Sequence, residues 1–364
     1  MCSNASHEHE HQIDLGFAEE CEPNLLRNVY FPSKIGGKPA WLDLEKIPST
    51  DDLKCKKCGA PQSFLCQIYA PIEEKPECFH RTIYIFICRE PSCSAPNSAE
   101  NFSAFRSQLP RQNQFYSAIP PNEDEELPAV EPSCRICSVC GCRGNSVCSR
   151  CKGINYCSAK HQRAHWPQHK VPCRSGDTIP TENINIPTVS FPEFEVVIEA
   201  DTSIADQCDH CTDDEATEQS RLDEFQKLAD EGKTGTMDEI PESELSKYAT
   251  EDDENADISF RHFKEQVAKN PSQILRYDIG GEPLWIADTA KTIGTNIQIP
   301  PCPNCSAARH FEFQIMPQML NYLKDDVIDW GVLAVYSCKN SCQPSTEYVR
   351  EFIIKQDIIS EENK

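Results

Sequence analysis

Long apolar runs are missing from this chain of 364 residues. No stretch approaches the roughly 20 consecutive apolar residues that a bilayer-spanning helix requires, so no membrane association is expected. The first residues, Met1 to Gln12, are polar and carry His7, His9 and His11. They lack the apolar core of a signal peptide and read as a solvated tail. Motifs of catalysis are also lacking. There is no phosphate-binding glycine loop, no G-x-S-x-G and no H-E-x-x-H, and the Cys-x2-Cys pairs lack the strand–helix setting of a redox motif. The expectation is therefore a protein that is not an enzyme. Positive charge is scarce as well: 35 Lys and Arg face 58 Asp and Glu, a net charge of −23. Such a chain repels phosphates and attracts basic proteins, so direct binding of nucleic acid is not expected.

Cysteine, by contrast, is abundant, with 22 residues. Without an export signal, the expected locations are the reducing cytoplasm and nucleus, where paired cysteines bind metal rather than each other. The densest stretch runs Cys137-x2-Cys140-x7-Cys148-x2-Cys151-x5-Cys157-x3-His161-x7-His169-x3-Cys173. Zinc takes four nitrogen or sulfur ligands in a tetrahedron, and a pair spaced two or three apart can bite one ion. Paired in alternation, Cys137, Cys140, Cys157 and His161 take one zinc, and Cys148, Cys151, His169 and Cys173 take a second. Interlocked sites hold by metal a stretch too short for its own core. Cys134 and Cys142 are rival ligands, because Cys134-x2-Cys137 is itself a pair. From Cys134 to Arg174 there are eight Lys or Arg and no Asp or Glu, so the finger is basic within an acidic chain.

The organisation around the finger is a duplication. Gly36-Gly37-Lys38-Pro39-Ala40-Trp41-Leu42 matches Gly280-Gly281-Glu282-Pro283-Leu284-Trp285-Ile286. Cys55-x2-Cys58 matches Cys302-x2-Cys305, and Gln67-Ile68 and Gln314-Ile315 each begin nine residues after the pair. A strand then ends in a second pair, Cys88-x4-Cys93 in one copy and Cys338-x3-Cys342 in the other. The spacing predicts one four-cysteine zinc site from Cys55, Cys58, Cys88 and Cys93, and a twin from Cys302, Cys305, Cys338 and Cys342. Cys66 and Cys78 read as ordinary thiols, and Cys208-x2-Cys211 as a chance pair.

The fold class predicted is mostly β with some α: two pseudo-repeated β lobes packed together, with a double-zinc finger inserted between them. The N-terminal lobe spans 13–120 and includes the apolar run Ile83 to Ile87, expected to be buried on both faces. An acidic linker covers 121–133 and the finger 134–175. Residues 190–199 read as a strand returning the chain to the β body, to a lobe that spacing does not name. Residues 200–257 form an acidic linker with 20 acidic and four basic residues, expected to be largely disordered apart from a short helix over Ser220 to Asp230. The C-terminal lobe spans 258–359. It opens with a packing helix capped by Ser259, with Phe260, Phe263 and Val267 on one face and a stop at Asn270-Pro271.

The ladder from Cys137, with Tyr156-Cys157-Ser158 and the closing His169-Lys-x2-Cys173, resembles the MYND zinc finger, with His161-Gln162 where most such fingers have Cys-Gln. That resemblance implies a protein-binding module that grips proline-containing peptides. The whole chain is similar to the programmed cell death protein two family. The motifs that carry this are Leu15-Gly-Phe-Ala-Glu19, Phe31 to Trp41, Gln108-Leu-Pro-Arg111, Phe191-Pro-Glu-Phe-Glu195, Gln273 to Tyr277, Met316 to Leu323 and Asp329-Trp-Gly331. Through a yeast relative, the resemblance implies a dedicated chaperone, expected to be a monomer. Its client would be a basic ribosomal protein of the small subunit, uS-five (eukaryotic S-two), delivered to the growing forty-S particle. Strand edges in the duplicated lobes would offer a place for the client. The alternative is a transcriptional or cell-death signalling adapter acting through the finger.

Overall fold

In the computed structural model the described residues are 13–119, 127–175, 184, 186–201, 258–294, 297–343 and 348–358. His7, His9 and His11, the helix expected at Ser220 to Asp230, the Cys208–Cys211 pair and nearly all of the acidic stretch lie outside them.

The β-branched and aromatic runs of both copies become strands, as such residues favour a pleated backbone. In chain order, β1 (Asp14–Glu19) comes first. The first copy supplies β2 (Lys34–Ile35), β3 (Ser63–Tyr69), β4 (His80–Ile87) and β5 (Phe102–Leu109). The finger holds β6 (Ser146–Val147) and β7 (Asn155–Tyr156), and β8 (Phe194–Ala200) follows it. The second copy supplies β9 (Leu275–Tyr277), β10 (Arg309–Ile315), β11 (Val332–Cys338) and β12 (Val349–Gln356). Every residue of β4 is buried, as the run Ile83 to Ile87 predicts.

The copies do not fold as two lobes. Ten strands close one antiparallel barrel in the order β1-β8-β2-β3-β4-β5-β12-β11-β10-β9. Each copy is a meander, and a lone meander has two unpaired edges. Here β5 pairs with β12, Arg106 opposite Val349, and β1 bridges β8 and β9. Closure satisfies the backbone groups that free edges would expose, and so removes the edges expected to receive a client strand. The strand expected over 190–199 starts at Phe194 and joins neither copy alone, since β8 lies between β1 and β2.

The duplication survives in detail. In β3–β4 the register skips between Phe64 and Cys66; in β10–β11 it skips between Phe311 and Phe313. Each skip leaves one bulged residue, Leu65 in the first copy and Glu312 in the second. The matched glutamines have matched tasks. Gln67 Oε1 accepts from Ala40 N–H at 2.8 Å, and Gln314 Oε1 accepts from Leu284 N–H at 2.6 Å. Both clamp the residue before the repeated tryptophan. Gly36 sits at φ +63°, where a Cβ would fall 1.9 Å from the Pro192 carbonyl oxygen, so this turn admits only glycine.

The barrel interior is packed with Ile83, Ile85, Phe313, Leu333, Val335 and Trp330. It also holds an ion pair: Arg81 on β4 donates to both carboxylate oxygens of Glu312 on β10, Nη2 to Oε2 at 2.7 Å, and both side chains are fully buried. Arg106 Nε donates to Glu351 at 2.8 Å, and Glu351 also accepts from Arg309 at 3.0 Å. Outside the barrel, Trp41, Tyr84 and Phe86 pack with Val139, Ile154 and Tyr156 of the finger. Trp41 Nε1–H donates to the Gly141 carbonyl at 2.7 Å. The first tryptophan thus anchors the finger rather than the barrel interior. Two helices matter below: α1 (Ala159–Ser175) in the finger, and α2 (Ile258–Lys269). Ser259 is the second residue of α2 and not its cap. Phe263 packs against Ile286, Met316 and Val332, with Phe260 and Val267 beside it.

Candidate metal centres

Four local turns of one design set the thiols. Cys55 N–H donates to Ala60 O at 2.8 Å while Cys55 O accepts from Gly59 N–H at 2.9 Å. Cys302, Ala307 and Ser306 repeat these bonds at 2.8 and 2.9 Å. In the finger, Gly141 N–H donates to Cys137 O and Lys152 N–H to Cys148 O, each at 2.9 Å. The residue four places after each first cysteine is left-handed: Gly59 at φ 70°, Ser306 at 62°, Gly141 at 70° and Lys152 at 56°. Such a turn points both sulfurs of a Cys-x2-Cys pair at one spot. A second pair closes each site from a distant element. Cys88 directly follows β4 and Cys338 ends β11, and the segments that follow add Cys93 and Cys342.

The structure brings together Cys55, Cys58, Cys88 and Cys93; Cys137, Cys140, Cys157 and His161; Cys148, Cys151, His169 and Cys173; and Cys302, Cys305, Cys338 and Cys342. Within each group the ligand atoms all lie within 4.8 Å of one another. These are the four quartets expected from spacing, including the alternation within the finger. Cys134 and Cys142 are outside them, and Cys142 Sγ instead faces the Cys140 carbonyl at 3.6 Å. Every cysteine among the described residues is a free thiol. Sulfurs 2.3 Å from a tetrahedral zinc would be about 3.8 Å apart. The observed separations are 3.6 Å for Cys58–Cys88, 3.6 Å for Cys302–Cys342, 3.5 Å for Cys305–Cys338, 3.7 Å for Cys140–Cys157 and 3.8 Å for Cys148–Cys173. The donor sets therefore fit zinc in both chemistry and size. Cys66 and Cys78 are buried away from the quartets.

Two supporting residues escape a reading of spacing. Helix α1 places His161, His165, His169 and Cys173 on one buried face, each four residues from the last. His165 belongs to no quartet. Its Nδ1 lies 3.1 Å from Tyr156 Oη, and the same hydroxyl is 2.8 Å from His169 Nδ1. His169 turns Nε2 toward Cys151 Sγ at 3.3 Å. Tyr156 thus fixes the imidazole so that Nε2 faces the ligand cluster. The four-residue stripe of histidines was the available signal for His165. With zinc in this quartet, Tyr156→Phe is expected to weaken it about 10- to 100-fold while leaving the other three quartets unchanged, as read by competition with a chromogenic chelator.

Fold and sites define the class: a MYND-finger protein built on one β-barrel closed from two repeated meanders. Residues 137–173 match the MYND finger. Residues 12–123 match the programmed cell death protein 2 N-terminal domain, and 257–357 match its C-terminal putative domain. The chain is 41% identical over 361 residues to programmed cell death protein 2 of Mus musculus, covering 95% of this chain and 96% of that one. It belongs to the programmed cell death protein 2 family. It is also 27% identical to programmed cell death protein 2-like of Homo sapiens, over 89% of this chain and 90% of that one. A shorter likeness, 35% over 95 residues and 24% of each chain, is to the probable 20S rRNA accumulation protein 4 of Schizosaccharomyces pombe. No solved structure matches the chain.

Proposed function

We propose that this protein is a non-catalytic zinc protein that carries a basic ribosomal protein of the small subunit, uS-five (eukaryotic S-two), in support of forty-S subunit assembly in the cytoplasm and nucleus. Two zinc ions sit in the finger and one at each four-cysteine site, where they hold the turns in place. The observation that carries this reading is the likeness to a protein named for 20S rRNA accumulation. The net charge of −23 supports it. A basic ribosomal protein away from RNA needs an acidic partner, and an acidic carrier keeps RNA off the client until delivery.

Purified uS-five mixed with the full-length chain tests this. A soluble complex is expected at low salt, weakening about tenfold or more as the screening length falls from roughly 10 Å at 0.1 M toward 3 Å at 1 M. A client that precipitates in the presence of the chain, or a complex indifferent to salt, would reject the reading. A second reading has one observation in its favour. Trp166 and Val171 are exposed on the basic finger helix, where a proline-containing peptide of a signalling partner could rest. Trp166→Ala in the full chain separates the two. The carrier reading expects client capture to be unchanged, and the adapter reading expects the main partner to be lost.

A further inference from the structure

The turn that sets each Cys-x2-Cys pair is the same in all four quartets, but its surroundings are not. In the finger, the turn from Cys137 to Gly141 is packed under the first copy. Cys140 and Gly141 are buried, the Gly141 carbonyl accepts from Trp41 Nε1–H, and a Cβ on Gly141 would fall 2.8 Å from Lys38 Cβ. At the two barrel sites the turn stands in solvent. Lys56, Lys57, Cys58 and Gly59 are exposed one after another, and so are Pro303, Asn304, Cys305 and Ser306. The first cysteine of each pair, Cys55 or Cys302, is buried beneath them. Across the four quartets, Cys58 and Cys305 are thus the exposed ligands, and they hold the same position in the two copies.

Each exposed sulfur touches a buried one. Cys58 Sγ lies 3.6 Å from Cys88 Sγ, and Cys305 Sγ lies 3.5 Å from Cys338 Sγ. In both copies the neighbour is the cysteine at the strand end. An accessible thiolate with a second thiol against it is the arrangement of a sulfur that oxidises and a sulfur that resolves it. The thiols outside the quartets are less available: Cys66, Cys78 and Cys142 are buried. The two barrel sites also differ from each other. Cys342 is half-buried where its counterpart Cys93 is buried, and its Sγ accepts from the exposed Asn304 Nδ2 at 3.2 Å. The second copy therefore presents two reachable sulfurs and the first copy one.

We propose that Cys58 and Cys305 are sites of reversible oxidation by hydrogen peroxide, each resolving to a disulfide with the strand-end cysteine, Cys88 or Cys338, so that the barrel sites give up their metal while the finger keeps its own. The inference rests on the zinc reading of the barrel sites above. The Cys305 thiolate attacks one peroxide oxygen: the S–O bond forms, the O–O bond breaks, and hydroxide leaves and takes a proton to become water. The Cys338 thiolate then attacks the Cys305 sulfur: the S–S bond forms, the S–O bond breaks, and a second hydroxide leaves as water. Two thiolates give up one electron each, the peroxide gains both, and two protons are consumed. Cys302 and Cys342 remain, too few for a tetrahedron of four ligands. Cys58 and Cys88 react in the same way. The new bond joins the turn to the strand end that the metal had joined, so the hairpin stays tied. The segment carrying Cys342 is released instead. Its carbonyl accepts from Arg106 Nη2 at 3.0 Å, and the Ser341 carbonyl accepts from Gln108 Nε2 at 3.0 Å, so the release reaches the buried polar groups of the barrel. A dithiol reductant of the thioredoxin class reverses the step.

The test uses the full-length, zinc-loaded chain and hydrogen peroxide, with a chromogenic chelator to count the ions released and mass mapping of unreduced peptides. Before oxidant, four ions are expected, one for each quartet. A count of two defeats the zinc reading of the barrel sites and this inference with it. From a count of four, two ions are expected to leave about tenfold faster than the others, the second copy's ahead of the first's, with disulfides Cys58–Cys88 and Cys305–Cys338. Dithiol reductant and added zinc then restore the count. Dimedone, which traps sulfenic acid, is expected on Cys58 and Cys305. Cys58→His and Cys305→His exchange the oxidisable ligand for another that zinc accepts. Each is expected to keep four ions and to slow release from its own site about tenfold, with the other site unchanged. Release from all quartets at one rate, first disulfides or dimedone on finger cysteines, or histidine variants that release as fast as the unaltered chain would overturn the inference and leave the zinc reading standing. Dimedone on the unaltered chain decides independently of how the variants bind zinc.

Discussion

Metal analysis of the purified chain is expected to return four zinc ions, one for each quartet of ligands. The twin four-cysteine sites decide the number. Each joins a turn just before one strand of a hairpin to the end of the next, so its ion ties the open end of that hairpin, where Ser63 faces Ile87 in one copy and Arg309 faces Cys338 in the other. Binding energy there becomes folding energy, because the unfolded chain has no preformed site. The finger has no core of its own beyond its packing on Trp41, Tyr84 and Phe86, so it depends heavily on that term, and apparent zinc binding of about 10–16 kcal/mol is usual in such modules. Chelation should therefore melt the finger first. The barrel, with its own apolar interior, should persist with a lowered melting temperature. Cys302→Ser should remove one ion, leaving three, and loosen the end of β11 near Cys338. A stoichiometry of two, or a Cys302→Ser variant with unaltered zinc and stability, would show that the repeated thiols are only packing residues.

Breaking the ion pair inside the barrel should have the next largest effect on stability. Glu312 is the bulged residue of the second copy, where the first copy has Leu65, and its partner Arg81 comes from the first copy. Each copy supplies half of one contact through the interior, and neither copy could make it alone. Glu312→Gln leaves a buried guanidinium without its charge partner and is expected to cost about 3–5 kcal/mol. Replacing both, as Arg81→Met with Glu312→Leu, should restore most of the loss, since a buried pair is often matched by well-packed apolar groups. Denaturant unfolding of the two singles and the double gives the coupling directly. Additive losses would mean that the pair is not a unit. Acid should act in the same direction as Glu312→Gln. Burial pushes the Glu312 carboxyl up, but the Arg81 charge outweighs it and holds the pKa below its ordinary 4.5. A depressed carboxylate stabilises the fold above that value, and its contribution is lost as pH falls through the folded pKa. The Glu312→Gln variant should therefore lose less stability than the unaltered chain as pH falls below 4.5.

The local motifs were legible and the long-range pairings were not. A Cys-x2-Cys turn writes its own geometry within six residues, as Cys55 to Ala60 shows, so the four quartets could be drawn from spacing, with Cys134 and Cys142 left as rivals that only the fold sets aside. The repeat was equally readable, down to Gln67 and Gln314. Barrel closure has no such signature. It depends on pairs such as Arg106 with Val349 and Gly16 with Leu275, each more than two hundred residues apart, and on a β2 of two residues that no periodicity reveals. Two lobes was the natural reading of two copies; edge pairing made them one. Tyr156 and His165 were hidden because they support ligands without being ligands.

Closure between distant strands also sets an order of events on the ribosome. When β5 has been made, its partner β12 is still about 240 residues away, and at 5–20 residues per second it follows roughly 12–48 s later. Through that interval the first copy carries a naked sheet edge. A messenger truncated before the second copy would leave that edge permanently open, and its product is expected to aggregate or be degraded rather than persist as a working half.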